Sequence, residues 1–446
     1  VLLLMKETRE WKNWSETAHC KPREVLFPTS AEEVCDYVNM ARKEQRRIRV
    51  VGAGHSFTEI AVSEDYLMSL DHLTGVTHLD KELNTATILA GTRLHELSKQ
   101  LAAEGYSQEN LGDINVQSIA GAISTGTHGT GIKFGNLATQ VLSFTLVTAK
   151  GETLTIAKEQ DETLFHAGVI SLGLLGVIVE ITISVIPAPT YKLTSSKYKF
   201  RDLLEQLPTL IEQNRHFECF LFPYSDLVQI KTMNLSEQAP QSLRKHRMEA
   251  LIVENHLFKL LSETVRLFPS TSRSISRLSA KAIGSSTIHG KSFDLFATER
   301  RVRFREMEYS IPLENVKVAL IAIREKVETA RYQVHFPIEV RMVKQDQFWL
   351  SPAYKRNSAY IAFHMYKGMP YENYFGDMEK LLQNYQGRPH WGKMHKLNLS
   401  KLKALYPKLD EFLNIRKQLD PTGLFLNDYV VDLFALQAMG DEASIF

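Results

Sequence analysis

Cysteine is nearly absent from this chain. The three in its 446 residues, Cys20, Cys35 and Cys219, are too few and too scattered for a disulfide framework or a zinc site, and no metal centre is expected. An excess of charge of one sign is missing too: 53 Lys and Arg against 51 Asp and Glu leave a formal charge of +2, no reason to expect nucleic acid or an acidic membrane surface as a partner. No stretch approaches the roughly 18 to 20 apolar residues of a membrane span, and Val1 to Met5 is too short for a signal-peptide core. Internal repeats and low-complexity tracts are also lacking. These absences leave a reduced, cytoplasmic, soluble protein with no integral membrane segment, long enough for two or three hydrophobic cores.

One more absence concerns a motif. "VVGAGHSF" begins like a dinucleotide-binding turn with Gly52 and Gly54, but Phe57 stands where the Rossmann fingerprint needs its third glycine. Around it the chain alternates helices and strands. Ser30-Ala31-Glu32-Glu33 is a capping box opening a helix with Val34, Val38 and Ala41 on one stripe. "RIRVV" is a buried strand, and "GVTHLD" and "NTATILAG" flank Lys81-Glu82-Leu83 as a hairpin. Leu94, Leu97 and Leu101 mark a helix ending at Gly105, and "VLSFTLVTAKGETLTI" turns at Lys150-Gly151. "IPAPTY" marks a boundary near residue 187. Beyond it the pattern changes to long helical stretches, such as Leu251 to Ile275, and then to alternating strands.

A second glycine-rich stretch, "NLGDINVQSIAGAISTGTHGTG", holds Gly112, Gly121, Gly126, Gly129 and Gly131 among small hydroxyl residues. Such a backbone can approach a ligand closely and offer it free N–H groups, although glycines also simply mark turns. Together the two loops favour a dinucleotide held in a non-Rossmann way. After the boundary, "FPIEVRMV" alternates so that Glu339 and Arg341 share a strand face, and "AYIAFHMY" does the same for Tyr360, Ala362, His364 and Tyr366. "RPHWGKMHK" crowds Arg388, His390, Lys393 and His395 around Trp391 and Gly392. Each of these, taken alone, is also what a surface ion pair, a satisfied histidine or an exposed basic loop looks like.

"VVGAGHSF", "SIAGAISTGTHGTG", "PIEVR", "RPHWGK" and "LDPTGLFLN" follow one another as in the sugar-lactone and alditol oxidases of the vanillyl-alcohol oxidase type, and the chain resembles that family from about Trp11 to Tyr429. "GIKFGNLATQV" and "FLNIRKQLDPTGLFLNDY" are most similar to those members that act on gulono- and arabinono-1,4-lactones. The resemblance implies an α+β fold: a two-subdomain FAD-binding domain over residues 1–187, a substrate-binding cap with a mainly antiparallel sheet flanked by helices over 188–415, and a C-terminal segment, 416–446, returning to the FAD domain. It implies FAD attached covalently through His55, with Gly52, Ala53, Gly54 and Ser56 at the pyrophosphate. Gly121, Ala122, Thr125, Gly126, Thr127 and Gly129 belong to the second FAD loop, and the backbone near Gly173, Gly176 and Val177 passes the cofactor. Ser118 matches a position touching flavin and substrate.

The cap residues implied are Arg341 and Lys393 as cations near the reacting atoms, Glu339 holding Arg341 and a substrate hydroxyl, and His364 contacting substrate and helping to accept its proton. Gly112 aligns with the position that guards the approach of dioxygen. The expected partners are therefore a small sugar-derived substrate and dioxygen, reduced to hydrogen peroxide. The substrate is a lactone, with an open-chain alditol such as xylitol or sorbitol as the alternative on the same scaffold. A flavin-binding protein without catalysis is opposed by the intact Glu339, Arg341 and Lys393. Where animal lactone oxidases carry long hydrophobic stretches, Leu243 to Arg277 is interrupted by charge every few residues, which argues against membrane insertion.

Overall fold

The computed structural model describes residues 10–243, 256–296 and 302–436. Three sheets organise them. The parallel sheet β1 (Glu24–Leu26), β2 (Ile48–Val51) and β3 (Tyr66–Ser69) has the order β1–β3–β2. The antiparallel sheet β4 (Val76–Asp80), β5 (Thr85–Leu89), β6 (Val141–Val147), β7 (Thr153–Ala157) and β8 (Val177–Ser184) has the order β7–β6–β8–β5–β4. Both expected hairpins are here, β4–β5 and β6–β7, the latter turning through Gly151 at φ +76°.

Helix α1 (Ala31–Lys43) buries Val34, Val38 and Ala41, as its stripe requires. Ser30 Oγ accepts the Glu33 N–H at 3.2 Å, but the returning arm of the capping box reaches one residue further. Glu33 accepts from the N–H and hydroxyl of Thr29, not from Ser30. Helix α2 (Leu94–Ala103) carries its leucine stripe inward, and the short α3 (Ile119–Ser124) lies in the second glycine-rich stretch.

The third sheet has eight antiparallel strands between residues 190 and 389. They are β9 (Thr190–Lys199), β10 (His216–Leu221), β11 (Leu227–Leu235), β12 (Ser286–Lys291), β13 (Phe304–Pro312), β14 (Ile338–Val343), β15 (Ser358–Tyr366) and β16 (Arg388–Pro389), in the order β12–β9–β11–β10–β14–β15–β13–β16. Directly paired residues share a face. Cys219, Val340 and Ile361 pair across β10, β14 and β15 on an apolar face, and Ile338 and Leu221 on that face meet Phe200, Ile323 and Val327 of the helices Phe200–Gln213 and Val316–Ala330. The other face is charged.

The stretch expected to be one long helix is divided. Residues 251–255 lie outside the described residues, and the remainder forms the helices Phe258–Leu267 and Ser272–Ala282. Pro269 follows Phe268, whose φ of −129° and ψ of 75° are extended rather than helical, because a proline disfavours the helical conformation in the residue before it. The apolar pattern survives the break only as two shorter stripes. Near the C-terminus, Leu424 O accepts the Ile48 N–H and Asn427 Nδ2 donates to Glu59 O and Val62 O, so "LDPTGLFLN" packs beside β2 and the loop that follows it.

Candidate active site

One wall of the site is built from missing side chains. A Cβ on Gly52 would sit 2.3 Å from Ser118 Oγ, and one on Gly129 would lie 2.3 Å from Leu111 O and 2.4 Å from Asn110 Oδ1. Gly54 adopts φ +66° and Gly126 φ +72°, where glycine alone is unstrained. Ser118 caps α3 by accepting the Gly121 N–H at 3.3 Å, and Thr125 Oγ1 donates to Gly121 O at 3.0 Å. Thr127 Oγ1 accepts from Gln117 Nε2 at 3.2 Å. Ala122 and Val177 are fully buried in the core, so neither side chain is available to a ligand. The turn before Val177 is tied to α3 through Leu172 N–H and Ser124 O, and a Cβ on Gly176 would lie 2.5 Å from Val147 O.

His55 follows Gly54 and Ala53 in this wall. Its ring stacks on Trp14 with centroids 5.1 Å apart. Neither ring nitrogen has a hydrogen-bond partner among the described residues. Burial, aided by the nearby positive charges of Lys393 and Arg93, holds its pKa down at about 4, so the imidazole is neutral and nucleophilic at pH 7. Ser56 O accepts from Asn13 Nδ2 at 2.9 Å, and Phe57 N–H donates to Gly392 O at 2.8 Å, joining this loop to the one that carries Lys393. A glycine-rich backbone beside a neutral histidine fits an elongated, phosphate-bearing cofactor that can bond to an imidazole.

The opposite wall is the charged face of the eight-stranded sheet. Register places Glu218 opposite Arg341, Arg341 opposite Tyr360, Glu339 opposite Ala362, and His364 opposite Glu306. Arg341 binds Glu339 at 2.5 Å and Glu218 at 2.8 Å. Glu306, which the sequence did not single out, binds Lys393 and lies 3.5 Å from His364 Nε2, while His364 Nδ1 meets Pro337 O at 3.3 Å. Lys393 is thus not an isolated cation but half of a buried pair, with its Nζ also 5.0 Å from the centre of the Phe57 ring. Glu308, two residues on, takes His128 Nε2 at 3.0 Å. His128 Nδ1 faces Gly129 O at 2.9 Å, so this histidine of the second glycine loop joins the two walls.

The charges on this face can be matched. Burial alone would raise both acids of β13, but the attraction of Lys393 and His364 for Glu306, and of His128 for Glu308, outweighs it and holds them below the usual carboxylate range. With Glu218 on Arg341, the acid left over is Glu339, whose pKa burial raises despite Arg341. His128, Glu308 and His390 offer ligand atoms within 4.8 Å of one another. Hydrogen bonds account for the arrangement, since His390 Nδ1 accepts the Gly392 N–H at 3.1 Å and His128 is engaged at both nitrogens.

Residues 181–433 match the family model for D-arabinono-1,4-lactone oxidase, and residues 22–157 match that for an FAD binding domain. The chain belongs to the D-arabinono-1,4-lactone oxidase family. It is 40% identical over 420 residues to an L-gulono-1,4-lactone dehydrogenase of Mycobacterium tuberculosis, with 94% of this chain and 97% of the relative covered. It is 33% identical to an L-gulonolactone oxidase of Scyliorhinus torazame, with 95% and 98% covered. A cholesterol oxidase structure from B. sterolicum superposes with a TM-score of 0.82 at 17% identity, covering 95% of this chain and 96% of that one. The expected vanillyl-alcohol-oxidase-type α+β fold is therefore present, and the protein is an FAD-dependent oxidoreductase of this family. No helix among the described residues is long and apolar enough to cross a membrane.

Proposed function

We propose that the protein oxidises a hydroxyl of a gulono- or arabinono-type 1,4-lactone to a carbonyl and passes the electrons to dioxygen, releasing hydrogen peroxide. The observation that carries this reading is the convergence of Glu339, Arg341, His364 and Lys393, from three separate segments, on one sheet face joined to the His55 loop through Phe57 and Gly392. When bound, FAD supplies a hydride acceptor at flavin N5 and, once reduced, a donor to dioxygen. Gly52, Ala53, Gly54, Ser56 and the 118–129 loop would hold it, with His55 as the covalent attachment.

The chain's own residues supply position, charge and proton traffic. Arg341 is held rigidly by two carboxylates and presents its remaining donors to a substrate oxygen. Glu339, with its raised pKa, accepts a hydrogen bond from a neighbouring substrate hydroxyl. His364, held between Pro337 O and Glu306, is the side chain placed to take the substrate's hydroxyl proton. Lys393 offsets the negative charge that develops as hydride leaves carbon.

The test is anaerobic addition of L-gulono-1,4-lactone, D-arabinono-1,4-lactone, xylitol and sorbitol while the flavin absorbance is followed. Bleaching by a lactone supports the reading. Bleaching by the alditols alone transfers it to alditol oxidation, and no bleaching refutes both. A dehydrogenase acting on the same lactones is the second reading, favoured by the name of the 40% identical relative. One peroxide per substrate oxidised in air excludes it. A need for an added acceptor establishes it.

A further inference from the structure

Strand β13 reads Phe304-Arg305-Glu306-Met307-Glu308, and its two acids point to the charged face. Its backbone also binds the loop that bears Lys393: Glu308 O accepts the His390 N–H at 3.0 Å, and Glu306 O accepts the Met394 N–H at 3.0 Å. The loop's main chain is therefore fixed on both sides of Lys393, whereas the ammonium is fixed by one carboxylate, Glu306, which is 6% exposed. The second oxygen of that carboxylate faces His364. A single buried acid thus touches both side chains proposed to handle charge and proton.

We propose that Glu306 is a positioning residue of the oxidation, fixing the Lys393 ammonium, orienting His364, and cancelling one positive charge beside the flavin. This rests on the substrate-side reading of Lys393 and His364. Replacement by glutamine keeps the shape and removes the charge, and two consequences of opposite sign follow. The region gains a net positive charge, which favours any anion formed on the flavin. Lys393 and His364 lose their shared anchor, which slows oxidation of an alcohol.

Sulfite separates the two effects. Its sulfur lone pair adds to N5 of oxidised flavin, one N–S bond forms, and the displaced electron pair resides on the ring as an anion, so its affinity reports local charge without any lactone. In Glu306→Gln holoenzyme, sulfite should bind about tenfold more tightly. Anaerobic reduction by lactone should slow about a hundredfold, mainly in kcat rather than KM. In a Lys393→Met background, the rate penalty of the same change should shrink to the part carried through His364.

Glu306→Asp keeps the charge and shortens the reach by one methylene, so sulfite affinity should stay at the wild-type value while reduction slows. This variant decides the matter if Glu306→Gln does not fold. Unchanged or weaker sulfite binding in Glu306→Gln, or an undiminished rate penalty in the Lys393→Met background, overturns the proposal. If no lactone reduces the wild-type flavin, the substrate reading fails while the sulfite comparison still decides whether Glu306 cancels charge there.

Discussion

The two walls of the site are made in opposite ways. The glycine wall is built from what side chains leave out: a methyl group on Gly52 or Gly129 would crowd Ser118 Oγ or Leu111 O, and Gly54 and Gly126 occupy backbone conformations that suit glycine. The sheet-side wall is built from an excess of side chains: the acids Glu218, Glu306, Glu308 and Glu339 meet Arg341, Lys393, His128 and His364 in a space largely closed to water. Close backbone approach serves binding of an elongated cofactor, and matched buried charge serves a reaction in which charge moves. Substitutions on the first wall should therefore act on cofactor retention, and substitutions on the second on rate.

The largest expected effect is on the charged wall. Arg341→Ala leaves Glu218 and Glu339 without their shared cation, and should lower the anaerobic reduction rate by roughly a hundred- to thousandfold, about 3 to 4 kcal/mol. It should also destabilise the fold by about 3 to 5 kcal/mol, the cost of breaking a buried pair by removing one partner. Lys393→Ala should give a comparable rate loss with less destabilisation, because Glu306 retains His364. Stopped-flow reduction and thermal melts read the two effects separately. A rate loss without destabilisation in Arg341→Ala would mean that the buried charges are not matched as described.

The next effect belongs to the glycine wall. In Gly129→Ala the new Cβ meets backbone, Leu111 O, which cannot move aside cheaply, and overpacking of this kind costs roughly 1 to 3 kcal/mol. In Gly52→Ala it meets Ser118 Oγ, which can rotate away. Gly129→Ala should therefore lower the melting temperature and the FAD content more than Gly52→Ala does. His55→Ala should keep the fold and some FAD while releasing all flavin into the supernatant after acid precipitation, whereas the unmodified protein should retain it in the pellet. Flavin lost from the unmodified protein on precipitation would remove the covalent link.

How much of this was legible follows the same division. Glycine loops, the two hairpins and the α1 cap are local, so a few neighbouring letters define them, and pairs such as Glu339 and Arg341 show through strand alternation. The matched charges do not, because they are created by register between distant strands: Glu218 meets Arg341 across 123 positions, and His128 meets Glu308 across 180. A signal for the β13 acids was present, two glutamates at alternate positions of the nine-residue strand FREMEYSIP, and His128 stood inside the second glycine-rich loop. What was unreadable was the identity of their partners.

A smaller effect comes from histidines that burial keeps neutral. His335 and His216, at 0% and 1% exposure, have pKa values lowered to about 4, as has His390. A base with a depressed folded pKa contributes stability that is present above its unfolded value near 6.5 and is lost as pH falls toward 4. Each contributes at most about 3 kcal/mol. Melting temperature should drop steadily from pH 6.5 to 4, and less steeply in His335→Phe, where the ring sits among Phe258, Phe336 and Tyr366. Parallel profiles for the two proteins would show that His335 is not held neutral by burial.

The smallest structural change concerns Gly112, and it asks whether the glycine wall also sets the electron acceptor. Gly112 lies outside the left-handed region, so its turn does not require glycine. A Cβ there would rest 3.3 Å from His128 O and 3.4 Å from Thr127 Cγ2, tight but bearable with a shift of a few tenths of an ångström. Alanine should therefore fold, bind FAD and leave anaerobic reduction by substrate nearly unchanged, since of the charged wall it meets only the His128 main-chain oxygen and no charged side chain. If Gly112 keeps open the approach of dioxygen, the methyl group should slow reoxidation of the reduced flavin while artificial acceptors remain effective. Stopped-flow measurement of both half-reactions decides this. An equal loss in the two would assign Gly112 to packing, and sluggish oxygen use by the unmodified protein would favour the dehydrogenase reading over the oxidase.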